Sequence, residues 1–311
     1  MNPEPMVRAQ GLTRRFRDLT AVDGLDFEVG RGEIFGLVGP DGAGKTTTLR
    51  MLAGVLRPSG GDALVNGVSV AGDPERVKHD LAYMSQRFGL YGDLTVIENL
   101  HFYADLYEVP KAERPARLEP LFRFSTLGPS QDRLAARLSG GMKQKLGLSC
   151  ALIHEPKLLL LDEPTFGVDP ISRRDLWLIV HEMVAQGVTA IVSTAYMDEA
   201  ERFDRVALLH RGRLAALDTP EALQQRLADR ILDLQVDRVR EAREAALADP
   251  RVARATAFGD RLHLTVASAQ EAAEPVARGL RDRGFRVGEA RPIEAGMEDV
   301  FIDLVAGEAA P

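Results

Sequence analysis

Ile34-Phe35-Gly36-Leu37-Val38-Gly39-Pro40-Asp41-Gly42-Ala43-Gly44-Lys45-Thr46-Thr47-Thr48 is the stretch on which the fold of this chain turns. A short apolar run, Ile34 to Val38, ends in a glycine loop and passes into a helix bearing Thr47, Leu49, Met51 and Leu52. Residues Gly39 to Thr46 fit G-x-x-x-x-G-K-[ST] without exception. Glycines at 39, 42 and 44 let successive backbone N–H groups turn inward, which makes an anion-binding concavity at a helix N-terminus. Lys45 is then placed for the β- and γ-phosphates of a nucleotide and the Thr46 hydroxyl for Mg²⁺, with Asp41, Ala43 and Thr47 completing the candidate binding segment. A plain glycine turn before a helix gives the same local pattern, so the surrounding chain must decide.

Two further apolar runs, Lys157 to Leu161 and Val188 to Ser193, flank a helical stretch from Ile171 to Gln186, opened by Asp169 as cap and Pro170 at the first helical position. Alternating strands and helices predict a mostly parallel sheet with helices on its faces, an α/β core of the P-loop NTPase kind. Between Gln86 and Leu138 the pattern is helical in period, which predicts an inserted helical subdomain over about 87–141. Beyond Asp218-Thr219-Pro220 the chain becomes rich in Arg, Ala and Glu and reads β, α, β, β, α, β. That order predicts a C-terminal ferredoxin-like α+β accessory domain over 226–311, after an ATPase domain over 1–225.

Asp162 and Glu163 follow four leucines, at the end of a buried parallel strand where open α/β sheets bind ligands. The first acid suits Mg²⁺ and the second the activation of an attacking water. Acids at a strand end are also ordinary helix caps. Leu138-Ser139-Gly140-Gly141-Met142-Lys143-Gln144-Lys145 is less generic. A serine cap and two glycines open a helix that could approach a phosphate closely, while Lys143 and Lys145 oppose the helix dipole, as cations facing an anion would. A capped amphipathic helix is the alternative.

A chain of 311 residues is long enough for a large core and a smaller second one. The formal charge of −7 argues against broad nucleic-acid binding, and a lone Cys150 in an apolar stretch provides neither a disulfide nor a cysteine metal cluster. Residues Met1 to Gln10 lack the apolar core of a signal peptide, and no run approaches the ~20 apolar residues that span a bilayer. A cytoplasmic protein that reaches a membrane only through a partner is the expectation.

The combination of P-loop, LSGGM and LLLLDEP resembles the ATP-binding subunits of ABC transporters over roughly residues 5 to 225, and in particular the first half of fused tandem drug exporter ATPases. The resemblance implies that Ser139, Gly140 and Gly141 of one subunit close on Mg-ATP held by Lys45 of another. It implies that Gln86 senses the metal and γ-phosphate, that Asp169 touches the opposing subunit, and that Phe16 stacks on adenine, although a strand phenylalanine is commonly core. Met142 stands where glutamine is usual. The apolar loop Arg87-Phe88-Gly89-Leu90-Tyr91 would form part of a groove for a helix of an integral membrane permease, at the cytoplasmic face of the membrane.

One expected residue is missing. The family pattern after the third strand is Thr-His, whereas this chain has Thr194-Ala195-Tyr196. Alanine cannot contact a γ-phosphate, and Tyr196 points to the opposite face of a strand. Slow hydrolysis at the chain's own site is therefore expected, in a heterodimer with a second ATPase subunit, the favoured arrangement, or in a homodimer. A soluble ATPase acting on nucleic acid or ribosomes and a regulatory ATP-binding subunit are the alternatives to an exporter of drug-like or lipid-like compounds.

Overall fold

The computed structural model describes residues 4–86 and 89–308. They form two compact units, one extending to Leu217 and one starting at Asp218.

In the first unit β1 (Val7–Phe16) and β2 (Leu19–Val29) form a hairpin that precedes β3 (Ile34–Val38) and α1 (Lys45–Leu52). Next come β4 (Gly60–Val65), β5 (Val68–Ser69), α2 (Pro74–Lys78) and β6 (Leu81–Met84). An antiparallel sheet of order β2-β1-β4-β5 covers the start of the chain. After β6 come the helices α3 (Val96–Leu106), α4 (Arg114–Ser125) and α5 (Gly140–Leu152). The unit closes with β7 (Leu158–Asp162), α6 (Pro170–Ala185), β8 (Thr189–Thr194), β9 (Arg205–His210) and β10 (Arg213–Asp218).

The second sheet has the order β10-β9-β3-β8-β7-β6, and β3 pairs in parallel with both β8 and β9, as β7 does with β6 and β8. Every residue of β3, β7 and β8 is buried, the continuous apolar pattern of a parallel sheet covered on both faces. Phe35, Leu37, Leu158, Leu160 and Ile191 join Leu49 and Leu52 of α1 and the inward residues of the antiparallel sheet in one core. The phosphate loop therefore hangs from a central strand. The inserted helices follow local signals: Thr95 and Glu98 make a reciprocal capping box on α3, Pro115 sits in the first turn of α4, and Ser139 caps α5.

The second unit begins with α7 (Pro220–Gln225), then β11 (Ile231–Val236), α8 (Val239–Leu247), β12 (Val252–Phe258), β13 (Arg261–Val266), α9 (Ala269–Asp282), β14 (Val287–Ile293) and α10 (Met297–Glu308). Its antiparallel sheet, ordered β12-β13-β11-β14, has the first strand inside and a β-α-β-β-α-β path of ferredoxin-like type. Leu232, Leu234, Leu262 and Leu264 pack beneath Val276 and Leu280 of α9 on one face. On the other face Asp233 is buried between Arg261 (2.6 Å) and Arg291 (3.5 Å), and His263 Nδ1 lies 2.9 Å from Asp299 of α10. The boundary lies before α7, where the composition changes at Asp218-Thr219-Pro220, and not at the expected domain limit of residue 225. Thr219 caps α7, Leu223 is fully buried, and the helix packs against α10 of the same unit.

Candidate nucleotide site

The glycines of the phosphate loop serve different ends. A Cβ at Gly39 would stand 2.3 Å from the Leu209 carbonyl, and one at Gly44 would stand 2.7 Å from that of Ala21, so both positions are set by close packing. Gly42 has open space around it but a φ of +79°, which L side chains rarely adopt. Residues 41–47 line a cleft of about 710 Å³ together with Phe16, Gln86 and Glu163. Gly39 lies at the entry to this loop, where its N–H donates to the Thr194 carbonyl (3.3 Å).

Lys45 is only 4% exposed and its Nζ is fully engaged: it donates to the carbonyls of Gly39 (2.7 Å) and Pro40 (3.1 Å) and lies 3.2 Å from Glu163 Oε1. The other oxygen of Glu163 accepts from Gln86 Nε2 at 3.0 Å. Glu163 has a φ of +49°, a strained conformation for a non-glycine, held by bonds from its N–H to the carbonyl and the hydroxyl of Ser193, each 3.1 Å. Such strain in a cleft is a recurrent mark of function.

Behind this pair lies a buried oxygen cluster. Thr46 Oγ1 donates to Asp162 Oδ1 (2.9 Å), Ser193 Oγ donates to the same oxygen (2.8 Å), and the Tyr83 hydroxyl donates to Oδ2 (3.1 Å). Burial and then the adjacent Asp162 charge push the Tyr83 hydroxyl up to about 12, so it stays a donor. Among the described residues no group of three or more His, Cys, Asp or Glu side chains could chelate a metal. One hydroxyl and one carboxylate instead form a hard-oxygen donor set of the kind Mg²⁺ accepts when phosphate and water fill its remaining positions. Thr46 and Asp162 thus fit the metal expected there. Gln86, expected to share that role, is brought to Glu163 and not to the Thr46–Asp162 pair.

Phe16 is 41% exposed at the cleft and the Arg14 guanidinium lies 4.5 Å from its ring centroid, so it is not a core phenylalanine. Leu19, Thr20, Ala21 and Arg211 also line the cleft and had no signal in the sequence. Arg211 sits in the β9–β10 turn with a φ of +47°, brought in by packing of that turn against the phosphate loop.

Ser139, Gly140, Gly141 and Asp169 do not line this cleft. The Ser139 hydroxyl accepts from the Met142 N–H (3.3 Å) as helix cap. Gly140 faces open space, but a Cβ at Gly141 would meet Ser172 Oγ at 2.0 Å, so Gly141 seats α5 against α6. Asp169 accepts from the N–H groups of Ile171 (3.1 Å) and Ser172 (3.0 Å), and these bonds from the helix start hold its carboxyl below the usual range. Lys145 departs from expectation: it is buried against Asp175 (2.6 Å) and not turned toward an anion at the helix start. Five residues into α5 its side chain enters the seam with α6, where a carboxylate awaits it. Lys143 remains exposed.

Ala195 follows β8 and offers no polar side-chain atom, while the ring of Tyr196 lies 4.6 Å from the Arg173 guanidinium on α6. Leu90, Gly92, Ala136 and Lys143 line a second cleft of about 280 Å³ beside Gln86. Arg87 and Phe88, expected to belong to this groove, lie outside the described residues; Tyr91 is 47% exposed and its ring packs, tilted, against Phe102 with centroids 4.4 Å apart. Cys150 is buried, and burial pushes its thiol up, which leaves it inert.

A phosphate loop on a central parallel strand, an Asp–Glu pair on a nearby strand and an inserted helical segment define a P-loop ATPase cassette. The family described as ABC transporter matches residues 22–166. The chain is 42% identical over 308 residues to the probable multidrug ABC transporter ATP-binding protein YbhF of Escherichia coli (strain K12), which covers 98% of this chain and 53% of that protein. It is 34% identical over 303 residues to the daunorubicin resistance ATP-binding protein DrrA2 of Streptomyces coeruleorubidus, covering 96% of this chain and 94% of the relative. A solved ATP binding subunit of an ABC transporter superposes with a TM-score of 0.65 at 33% identity, over 72% of this chain and 93% of that one. The chain belongs to the ATP-binding proteins of the ABC transporter family, and it spans about half the length of YbhF.

Proposed function

We propose that this chain binds and hydrolyses ATP to power a membrane exporter of drug-like or lipid-like compounds. The observation that carries the reading is the Lys45–Glu163–Gln86 arrangement at the floor of a cleft edged by Phe16. Relatives named for multidrug transport, daunorubicin resistance and Nod factor export support the substrate class.

In this reading adenine stacks on Phe16, and the phosphates draw Lys45 away from Glu163. The freed carboxylate, still oriented by Gln86, accepts a proton from the attacking water. Mg²⁺ held by Thr46 and Asp162 would neutralise charge on the phosphates. Ser139 to Gly141 and Asp169, set outside the chain's own cleft, complete the site of a second ATPase subunit as the two close. The groove beside Gln86 receives an integral membrane permease at the cytoplasmic face, so Tyr91→Asp uncouples transport while leaving nucleotide binding intact. The polar gap at Ala195 favours slow turnover at this site and a heterodimeric arrangement, and it also supports a second reading, a regulatory subunit with little hydrolysis.

Phosphate release by the purified chain, alone and with its permease, tests both. Turnover stimulated by the permease and abolished by Glu163→Gln supports an energy-coupling ATPase; Mg-ATP binding without turnover in either state supports the regulatory subunit.

A further inference from the structure

The carboxylate of Glu199 is 1% exposed and none of the steps above uses it. It lies in the 3₁₀ segment Met197–Arg202, just after β8, and gathers donors from three parts of the first unit. Oε2 accepts from the hydroxyls of Thr165 (3.0 Å) and Thr194 (2.7 Å), while Oε1 accepts from Trp177 Nε1 (3.3 Å). Arg173 Nε, buried without a hydrogen-bond partner, approaches Oε1 at 3.8 Å. Thr165, Thr194 and Trp177 are each 1% exposed.

Thr165 lies two residues after Glu163, in the turn that holds its left-handed backbone, and Thr194 lies one before Ala195. One oxygen therefore fastens the turn of the catalytic acid to the strand end where residue 195 supplies no polar side chain. Apolar side chains could fill this space without the cost of desolvating a carboxylate, so holding the two segments together requires the charge only if their relative position matters. We propose that Glu199 is a positioning residue, which sets Glu163 over the reacting phosphate by tying its turn to the end of β8.

This inference rests on the ATP-hydrolysing reading above. The test uses the whole chain and measures Mg-ATP affinity, kcat, KM, Tm and the emission of Trp177, the one tryptophan of the chain. Glu199→Gln should lower kcat about 10²-fold, the scale on which misplacing a reacting group by about 1 Å acts. Its KM and Kd should stay within about threefold, because the binding groups are elsewhere. Trp177 emission should respond to Mg-ATP in the wild type and lose that response in Glu199→Gln. Thr165→Val and Thr194→Val should each lower kcat, and the double variant should lose no more than the worse single, because either change opens the same tie.

Unchanged kcat in folded Glu199→Gln overturns the proposal, and so do additive losses from the two threonines or a fall in Tm and affinity with kcat preserved. If Glu199→Gln does not fold, the threonine variants decide alone, and wild-type turnover in both overturns it. A wild type that does not turn over ATP, whether or not it binds Mg-ATP, overturns the functional reading and this inference with it. Normal wild-type binding and turnover with an insensitive Glu199→Gln overturns this inference only.

Discussion

Lys45 Nζ lies 3.2 Å from Glu163 Oε1, so the cation of the phosphate loop and the acid at the end of β7 are partners in this state. Phosphate must compete with Glu163 for that ammonium. Lys45→Ala removes the phosphate cation and is expected to raise the Mg-ATP dissociation constant ~10- to 100-fold, the worth of a charge-assisted hydrogen bond. Glu163→Gln should bind Mg-ATP at least as tightly as the wild type, since no ion pair is broken, while turnover falls ~10²- to 10⁴-fold with loss of the general base. Equilibrium binding and phosphate release on the two variants check the pair of outcomes.

Ala195 is joined to the phosphate loop through its neighbour, because Gly39 N–H donates to the Thr194 carbonyl at 3.3 Å. In the proposed function an imidazole at 195 would approach the phosphates. Ala195→His is expected to raise kcat ~10²- to 10³-fold, the usual worth of one positioned transition-state contact. The rate should also acquire a pH dependence near 6.5, where histidine titrates. Phosphate release between pH 5.5 and 8.5 reads both; a flat profile at the wild-type rate would show that hydrolysis is limited elsewhere.

Much of this site is legible in the sequence because its signals are local. The glycine loop and the Asp169-Pro170 helix start each specify backbone geometry within a few residues. The antiparallel sheet of β1, β2, β4 and β5 is less visible: register shifts around Gly11, between Ala9 and Leu12, break the alternation that marks a strand. Lys145 and Arg211 are illegible in the sequence for another reason. Their surroundings are made by α6 and by the β9–β10 turn, distant in sequence, and no spacing rule reports such encounters.

In the proposed function Phe16 serves base recognition and the glycine loop phosphate recognition, so the two are separable by experiment. Stacking of a base on an aromatic ring is worth ~1–3 kcal/mol, so Phe16→Ala should weaken ATP roughly 5- to 150-fold while Phe16→Trp retains affinity. Inorganic tripolyphosphate, which has no base, should compete equally with ligand on wild type and Phe16→Ala. Competition measurements with both ligands distinguish a stacking ring from a wall that merely shapes the cleft.

Asp233 contributes to the acid response of the second unit. Burial raises its pKa, but the hydrogen bond and charge of Arg261, with help from His263 and Arg291, bring it below the ordinary carboxylate value. A depressed folded-state pKa contributes stability that is present above the unfolded value near ~3.9 and lost as pH falls through the folded one. Asp233→Asn should therefore lower Tm at pH 7, with the gap to wild type closing as pH drops below about 4. Thermal unfolding from pH 3 to 7 follows that convergence.

Gly140 and Gly141 are adjacent in sequence and opposite in what they tolerate. A Cβ at Gly140 meets nothing within 4 Å, whereas one at Gly141 would lie 2.0 Å from Ser172 Oγ and 2.3 Å from Ser172 Cβ, on the first turn of α6. Gly140→Ala should leave Tm of the isolated chain unchanged and reveal itself only when a second subunit closes on ATP. Gly141→Ala should displace α5 from α6 and destabilise the chain by about 1–3 kcal/mol, the cost of overpacking a close contact. Ser172→Gly removes both clashing atoms, so the double variant Gly141→Ala/Ser172→Gly should recover Tm. If ATP-driven dimer formation stays impaired after that recovery, the second glycine also serves the partner's nucleotide, and if it returns with Tm, its role is confined to the seam between α5 and α6.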